Sequence, residues 1–70
     1  MNGVVKIGDK LKRCRIREAY TQRELAAKAG IAEMTLSKIE RNQHDPHVST
    51  IRKLANALGV RPRDLMDDDD

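Results

Sequence analysis

The segment EMTLSKIE, from Glu33 to Glu40, carries side chains with several different bonding capacities. If the segment is a helix, Leu36 and Ile39 point inward. The residues that then face away are Glu33, Met34, Ser37 and Lys38. A carboxylate, a thioether, a hydroxyl and an ammonium group on one face suit either bulk water or the base edges in a groove of DNA. Met34 could instead fill the core, and an acid is in any case favourable at a helix N-terminus.

A second chemically capable stretch, HDPH, places His44 and His47 near Asp45. A metal site would need a third and a fourth ligand, and Cys14 is the only soft candidate elsewhere. Cys14 falls on the apolar side of the first predicted helix, where a small core residue is favoured. The sequence also has no glycine-rich phosphate loop and no Ser-His-Asp arrangement that so short a chain could present. We therefore predict no metal, no cofactor and no enzymatic activity.

Length and charge narrow the class of protein. The 70 residues predict one small domain, and a single cysteine excludes an intramolecular disulfide. Of the 11 acidic residues, four form the terminal run Asp67 to Asp70, so residues 1–66 hold 14 basic residues against seven acids, a net charge of +7. A basic body favours a polyanion such as nucleic acid, although a solvated basic surface fits equally well. The acidic tail, 67–70, is predicted to be disordered.

No stretch of the sequence is apolar enough for a signal peptide or a membrane span, which predicts a cytoplasmic protein without membrane contact. Helical periodicity, interrupted by turn signals, predicts an all-α fold of five helices. Their approximate ranges are 7–19, 21–30, 33–40, 48–58 and 62–66. In the fourth, the predicted apolar stripe comprises Val48, Ile51, Leu54, Ala55 and Leu58.

The second and third helices carry small and apolar residues at the spacing of a helix-turn-helix. These residues are Leu25, Ala26, Ala29, Gly30, Ile31, Leu36 and Ile39. Ala26 must be small because the next helix crosses near it, and Gly30 must turn sharply. A capping box, Thr21-x-x-Glu24, precedes them. The agreement of seven positions behind this box predicts a helix-turn-helix.

From Ile7 to Met66 the chain resembles the lambda-repressor and Cro family of DNA-binding domains. The resemblance rests on TQRELAAKAGI, TLSKIERNQHDP and TIRKLANALGV, and on Arg15 with Glu40. It implies a compact five-helix domain over residues 1–66, with the third helix in the major groove and a structural ion pair between Arg15 and Glu40. The family usually has glycine where Ala19 and Asn42 stand. Asn42 tolerates left-handed backbone, whereas at Ala19 the first helix could run on or turn differently.

The same resemblance implies roles at the DNA surface. The candidate base-reading residues are Glu33, Met34, Ser37 and Lys38. By their chemistry, Lys38 can donate to guanine, Glu33 can accept from cytosine, and Met34 can pack on a thymine methyl group. The candidate phosphate contacts are Gln22, Thr35, Arg41, Asn42, Gln43 and His44.

These roles predict a sequence-specific transcriptional regulator, a repressor that binds a palindromic DNA operator as a homodimer. The candidate dimer-interface residues are Val48, Arg61, Leu65 and Met66. Two related functions stay open, an antitoxin with a toxin partner and the controller of a restriction system. A third alternative is a protein-interaction module that keeps the fold without reading DNA.

Overall fold

The computed structural model describes residues 7–66, which fold into five helices with no strand in that range. The helices are α1 (Gly8–Arg17), α2 (Gln22–Ala29), α3 (Glu33–Glu40), α4 (Val48–Leu58) and α5 (Pro62–Met66). The prediction of an all-α, five-helix fold is therefore confirmed. The acidic tail at 67–70 lies outside the described residues, as do residues 1–6 of the predicted domain.

One aliphatic core holds the helices together. Helix α4 packs against both α2 and α5, α2 packs against α3, and α3 packs against α1. The largest fully buried side chains are Ile7, Leu11, Leu25, Leu36, Ile39, Leu54 and Leu65. Each such side chain stabilises the fold by roughly 1.5–3 kcal/mol relative to an exposed position. Cys14 is also buried in this core, as its place on the apolar side of α1 predicts.

Helix α1 is shorter than the predicted range 7–19, because the chain turns at Ala19. This residue has a left-handed backbone with φ 61°, the conformation that normally favours glycine. The N–H of Ala19 donates to the carbonyl of Ile16 at 2.9 Å, and the N–H of Tyr20 donates to that of Arg15 at 3.1 Å. Alanine thus ends the helix as a glycine would, at a cost in backbone strain.

Two apolar residues differ from the predictions in their exposure to solvent. Val48, assigned to the apolar stripe of α4, is 54% exposed, because it is the first residue of the helix and lies beyond the edge of the core. Ala57 is buried in this helix instead. Leu65, predicted at a dimer interface, is only 1% exposed. That prediction was wrong for Leu65, because α5 packs on α4 and carries this side chain into the core.

Among residues 7–66, no helix is long and apolar enough to cross a membrane.

Candidate nucleic-acid interface

Helices α2 and α3 meet across a tight turn whose two ends are fixed by local hydrogen bonds. At the start of α2, the N–H of Glu24 donates to the Thr21 hydroxyl at 3.0 Å, and the N–H of Thr21 donates to the Glu24 carboxylate at 2.8 Å. At its end, Gly30 is left-handed with φ 76°. The N–H groups of Gly30 and Ile31 both donate to the carbonyl of Ala26, at 2.9 and 3.0 Å. This geometry is the helix-turn-helix that the small residues predict.

The outward face of α3 presents the predicted reading residues. Met34 is 68% exposed, so the alternative in which it fills the core is wrong. Glu33 and Lys38 are exposed beside it, and Ser37 is half-buried. The inward positions, Leu36 and Ile39, are buried. The large apolar side chain of Met34 is therefore exposed to solvent between an acidic and a basic residue. The other side of the same helix packs into the core.

An open depression of about 290 Å³ lies between this face and the start of α2. Its lining residues are Gln22, Glu33, Met34, Ser37 and Arg41. Three predicted base-reading residues and two predicted phosphate contacts thus share one concave surface. Lys38 is absent from this lining, although it lies on the exposed side of the same helix.

A buried polar network fixes α3 against α1 and α2. The Arg15 guanidinium donates from Nε to Oε2 of Glu40 at 2.6 Å and from Nη2 to Oε1 at 3.1 Å. Its Nη1 donates to the carbonyl of Tyr20 at 2.9 Å. The two side chains are 12% and 3% exposed, so the pair is largely removed from water. The structure thus contains the ion pair that the resemblance implies, in a bidentate geometry.

The same network includes a contact that sequence reasoning missed. The amide Nε2 of Gln22 donates to Oε1 of Glu40 at 3.1 Å, so one of its two N–H groups is already engaged. Gln22 is half-buried, and the bond orients it at the edge of the depression. The residues lie 18 positions apart in the chain, and no local pattern in the sequence indicates such a bond.

The loop after α3 holds most of the predicted phosphate contacts. Arg41, Gln43 and His44 are exposed there, whereas Thr35 within α3 is half-buried. Asn42 has φ 58°, in agreement with the left-handed backbone expected of it. Its side-chain oxygen accepts a hydrogen bond from the N–H of Gly8 at 3.1 Å. Asn42 therefore has a structural contact that the sequence did not reveal, and its amide N–H groups are the part left for a phosphate.

The HDPH stretch does not assemble into a cation site. Over residues 7–66, no three His, Cys, Asp or Glu side chains come close enough to hold a metal ion.

Residues 11–65 match the protein-family model described as helix-turn-helix. The chain belongs to the helix-turn-helix family. Its relatives include the transcriptional regulator SinR of Bacillus subtilis, 40% identical over 63 residues that cover 89% of this chain and 57% of SinR. The regulator ImmR of the same organism is 38% identical over 64 residues, which cover 91% of this chain and 50% of ImmR. The chain thus spans about half the length of these relatives.

Solved structures of family members superpose closely. The restriction-modification controller protein C.AhdI of Aeromonas hydrophila gives a TM-score of 0.84 at 34% identity, over 87% of this chain and 92% of that protein. The structure of SinR in complex with DNA gives 0.84 at 39% identity, over 87% and 98% of the two chains. This protein is accordingly a helix-turn-helix domain, lambda-repressor-like in fold, of the kind found in transcriptional regulators.

Proposed function

We propose that this protein is a sequence-specific DNA-binding transcriptional regulator whose α3 enters the major groove. The observation that carries the proposal is the exposure of Met34, at 68%, between Glu33 and Lys38 on the outward side of α3. A buried network at Glu40 holds this helix rigidly, as base recognition requires. The likeness to SinR, whose structure is known with DNA, supports the same function.

The reading face offers four chemically distinct contacts. Lys38 can donate to the O6 and N7 acceptors of guanine, and Glu33 can accept from the N4 amino group of cytosine. Met34 can pack on a thymine methyl group, and Ser37 can bond to several bases. Each good contact of this kind discriminates against the wrong base by about 1–3 kcal/mol.

Phosphate contacts flank this face. The candidates are Gln22, Thr35, Arg41, Asn42, Gln43 and His44. Gln22 opens α2, where free backbone N–H groups and the helix dipole favour an anion. The net charge of +7 over residues 1–66 supplies a favourable field for the approach of DNA.

The protein acts in this proposal as a repressor that binds a palindromic operator as a homodimer. Two-fold related copies place their recognition helices about 34–36 Å apart, one helical turn of DNA. Leu65 is excluded from the interface by its burial, which leaves Val48, Arg61 and Met66 as candidates. Val48 is the strongest of these, because an aliphatic side chain that is 54% exposed gains stability when a partner covers it.

A restriction-system controller is a second candidate function. The likeness to C.AhdI, a restriction-modification controller protein that superposes with a TM-score of 0.84 at 34% identity, supports it. A further form of the same activity is an antitoxin that has a toxin partner and represses its own promoter. A member of the family can also bind another protein, as the complex of SinR with SinI illustrates.

Selection of bound sequences from random double-stranded DNA tests the proposal. We expect one enriched half-site, repeated with inverted symmetry, and affinity that falls steeply between 50 and 200 mM salt, by about 10³-fold or more for six phosphate contacts. Sedimentation with and without the selected operator then measures dimerisation. Selection that enriches no sequence, with salt-independent binding, would favour a protein-interaction module instead.

A further inference from the structure

We propose that Arg41 reads the edge of a guanine and is a specificity-determining residue, in addition to the four reading residues on α3. The inference rests on the proposed DNA-binding function and deepens it, since the sequence alone assigns Arg41 to a phosphate.

Arg41 lies on the same surface as the reading residues. It follows Ser37 by four positions and Met34 by seven, which is the spacing of one helical face. It is the C-cap of α3 with φ −92° and ψ 6°, so its side chain continues the direction set by the helix. It lines the depression together with Glu33, Met34 and Ser37, whereas Lys38 does not. Arg41 is therefore the cation of the concave surface.

The guanidinium of Arg41 lies against the last turn of α3. Its Nε donates to the carbonyl of Ser37 in a long hydrogen bond of 3.4 Å, which keeps it beside the depression. Within residues 7–66, Arg41 forms no ion pair. Arg15, in contrast, donates hydrogen bonds to Glu40 and to the carbonyl of Tyr20. The two terminal nitrogens of Arg41 can then donate in parallel. This fork matches the O6 and N7 acceptors of guanine, the commonest specific contact in the major groove.

Glu33 and Arg41 line the depression and place opposite charges at the two ends of α3. Eight residues separate them, or about 12 Å along a helix. This length exceeds the spacing of about 3.4 Å between neighbouring base pairs, so the two side chains can reach different base pairs. The preferred half-site should therefore contain a guanine read by Arg41 at a different position from the cytosine read by Glu33.

The test compares sequence selection and affinity for the wild type, Arg41→Gln and Arg41→Lys. Arg41 is exposed, so both variants should fold, and circular dichroism checks this. Arg52→Gln on α4 is the matched control, because it removes the same charge from an exposed position outside the helix-turn-helix. Affinities are measured on the selected operator, on operators with each base pair changed singly, and on random DNA.

We expect Arg41→Gln to lose about 5- to 150-fold in affinity for the selected operator, and to lose its preference at one guanine position only. Arg41→Lys keeps the charge but not the fork, so it should lose much of the same preference. The inference is overturned if Arg41→Gln weakens binding to all DNA alike, lowers the salt slope by about one and leaves the selected sequence unchanged, whether or not Arg52→Gln does the same. Failure of the wild type to enrich any sequence would instead overturn the proposed function.

Discussion

The backbone N–H of Gly8 donates to the side-chain oxygen of Asn42 at 3.1 Å, so the loop after α3 caps the first turn of α1. This bond satisfies one of the free N–H groups at the start of α1, where Ile7 at the N-cap provides no side-chain acceptor. The cap brings the N-terminus of α1 close to the C-terminus of α3, with the two helix dipoles in a favourable order. A residue at the edge of the candidate DNA surface thus also stabilises the fold.

Gly8→Ala should destabilise the protein. A Cβ atom at Gly8 would lie 2.6 Å from the side-chain oxygen of Asn42 and from the carbonyl oxygen of Glu40, and 2.7 Å from that of Ile39. Two of these atoms are backbone, so relief requires α1 to move away from α3. Overpacking of this kind costs about 1–3 kcal/mol, and we expect Tm to fall by roughly 5–20 °C. Thermal unfolding measures the change in Tm, and Lys12→Ala serves as a control at an exposed position on α1. A Tm unchanged from the control would contradict the close packing.

Substitutions at Asn42 should separate its two structural roles. Asn42→Gly keeps the left-handed backbone but removes the acceptor for Gly8, at a cost of about 1 kcal/mol. Asn42→Ala also removes the acceptor, and alanine lacks both the freedom of glycine and the side-chain amide of asparagine at φ 58°, which adds about 1 kcal/mol or more. Urea unfolding should therefore rank the wild type above the glycine variant and the glycine variant above the alanine variant. Equal stability of the two variants would mean that the left-handed backbone carries no strain.

The sequence predicts those features of the fold that depend on neighbouring residues. The capping box at Thr21 and the left-handed Gly30 obey short-range rules, and the ranges of α3 and α4 agree with the predictions. Exposure of apolar residues at helix ends does not follow such rules. Val48 and Leu65 look equally suited to a surface or a core. The packing of α5 on α4 buries Leu65, whereas Val48, the first residue of α4, lies beyond the edge of the core.

The sequence also did not predict the polar contacts between distant segments. The bond from Gln22 to Glu40 and the bond from Gly8 to Asn42 join residues 18 and 34 positions apart. Each depends on the angle at which two helices meet, which the helical period alone does not give. The ion pair between Arg15 and Glu40 could be expected only because a known family has it.

Ala19→Gly should stabilise the protein. Left-handed backbone at an alanine costs about 1–2 kcal/mol, and glycine removes most of this while losing about 0.5–1 kcal/mol through its greater freedom in the unfolded chain. The net gain is then about 0.5–1 kcal/mol, or roughly 2–8 °C in Tm. Ala27→Gly, the same change at an exposed position inside α2, should lower Tm instead. If both changes lower Tm alike, the turn at Ala19 is unstrained.

Removal of one partner of the ion pair between Arg15 and Glu40 should be far more costly than replacement of both. Glu40→Gln leaves the guanidinium without its counter-charge in a site where both side chains are nearly buried. Breaking such a pair costs about 3–5 kcal/mol, enough to unfold much of so small a domain. The double variant Arg15→Met with Glu40→Leu should recover a large part of the loss, because no buried charge remains uncompensated. Chemical denaturation of both variants measures this, with Glu18→Gln as the exposed control.

Glu33→Gln should change which base the protein prefers at one position of its operator. A carboxylate accepts from the cytosine amino group, whereas a glutamine amide pairs with adenine through one donor and one acceptor. Removal of the negative charge should also strengthen binding to all DNA, because it lowers the repulsion from phosphates. Glu18→Gln makes the same charge change at an exposed position just after α1, outside the depression.

Sequence selection and affinity measurements on both variants separate base reading from charge. The control should strengthen binding to random DNA without changing the selected sequence. Glu33→Gln should do this and also replace cytosine by adenine at one position, with a loss of about 0.3–1 kcal/mol in stability because the acid no longer interacts with the N-terminus of α3. If the two variants select the same sequence as the wild type, Glu33 serves only the helix, and its place in the depression beside Met34 has no part in recognition.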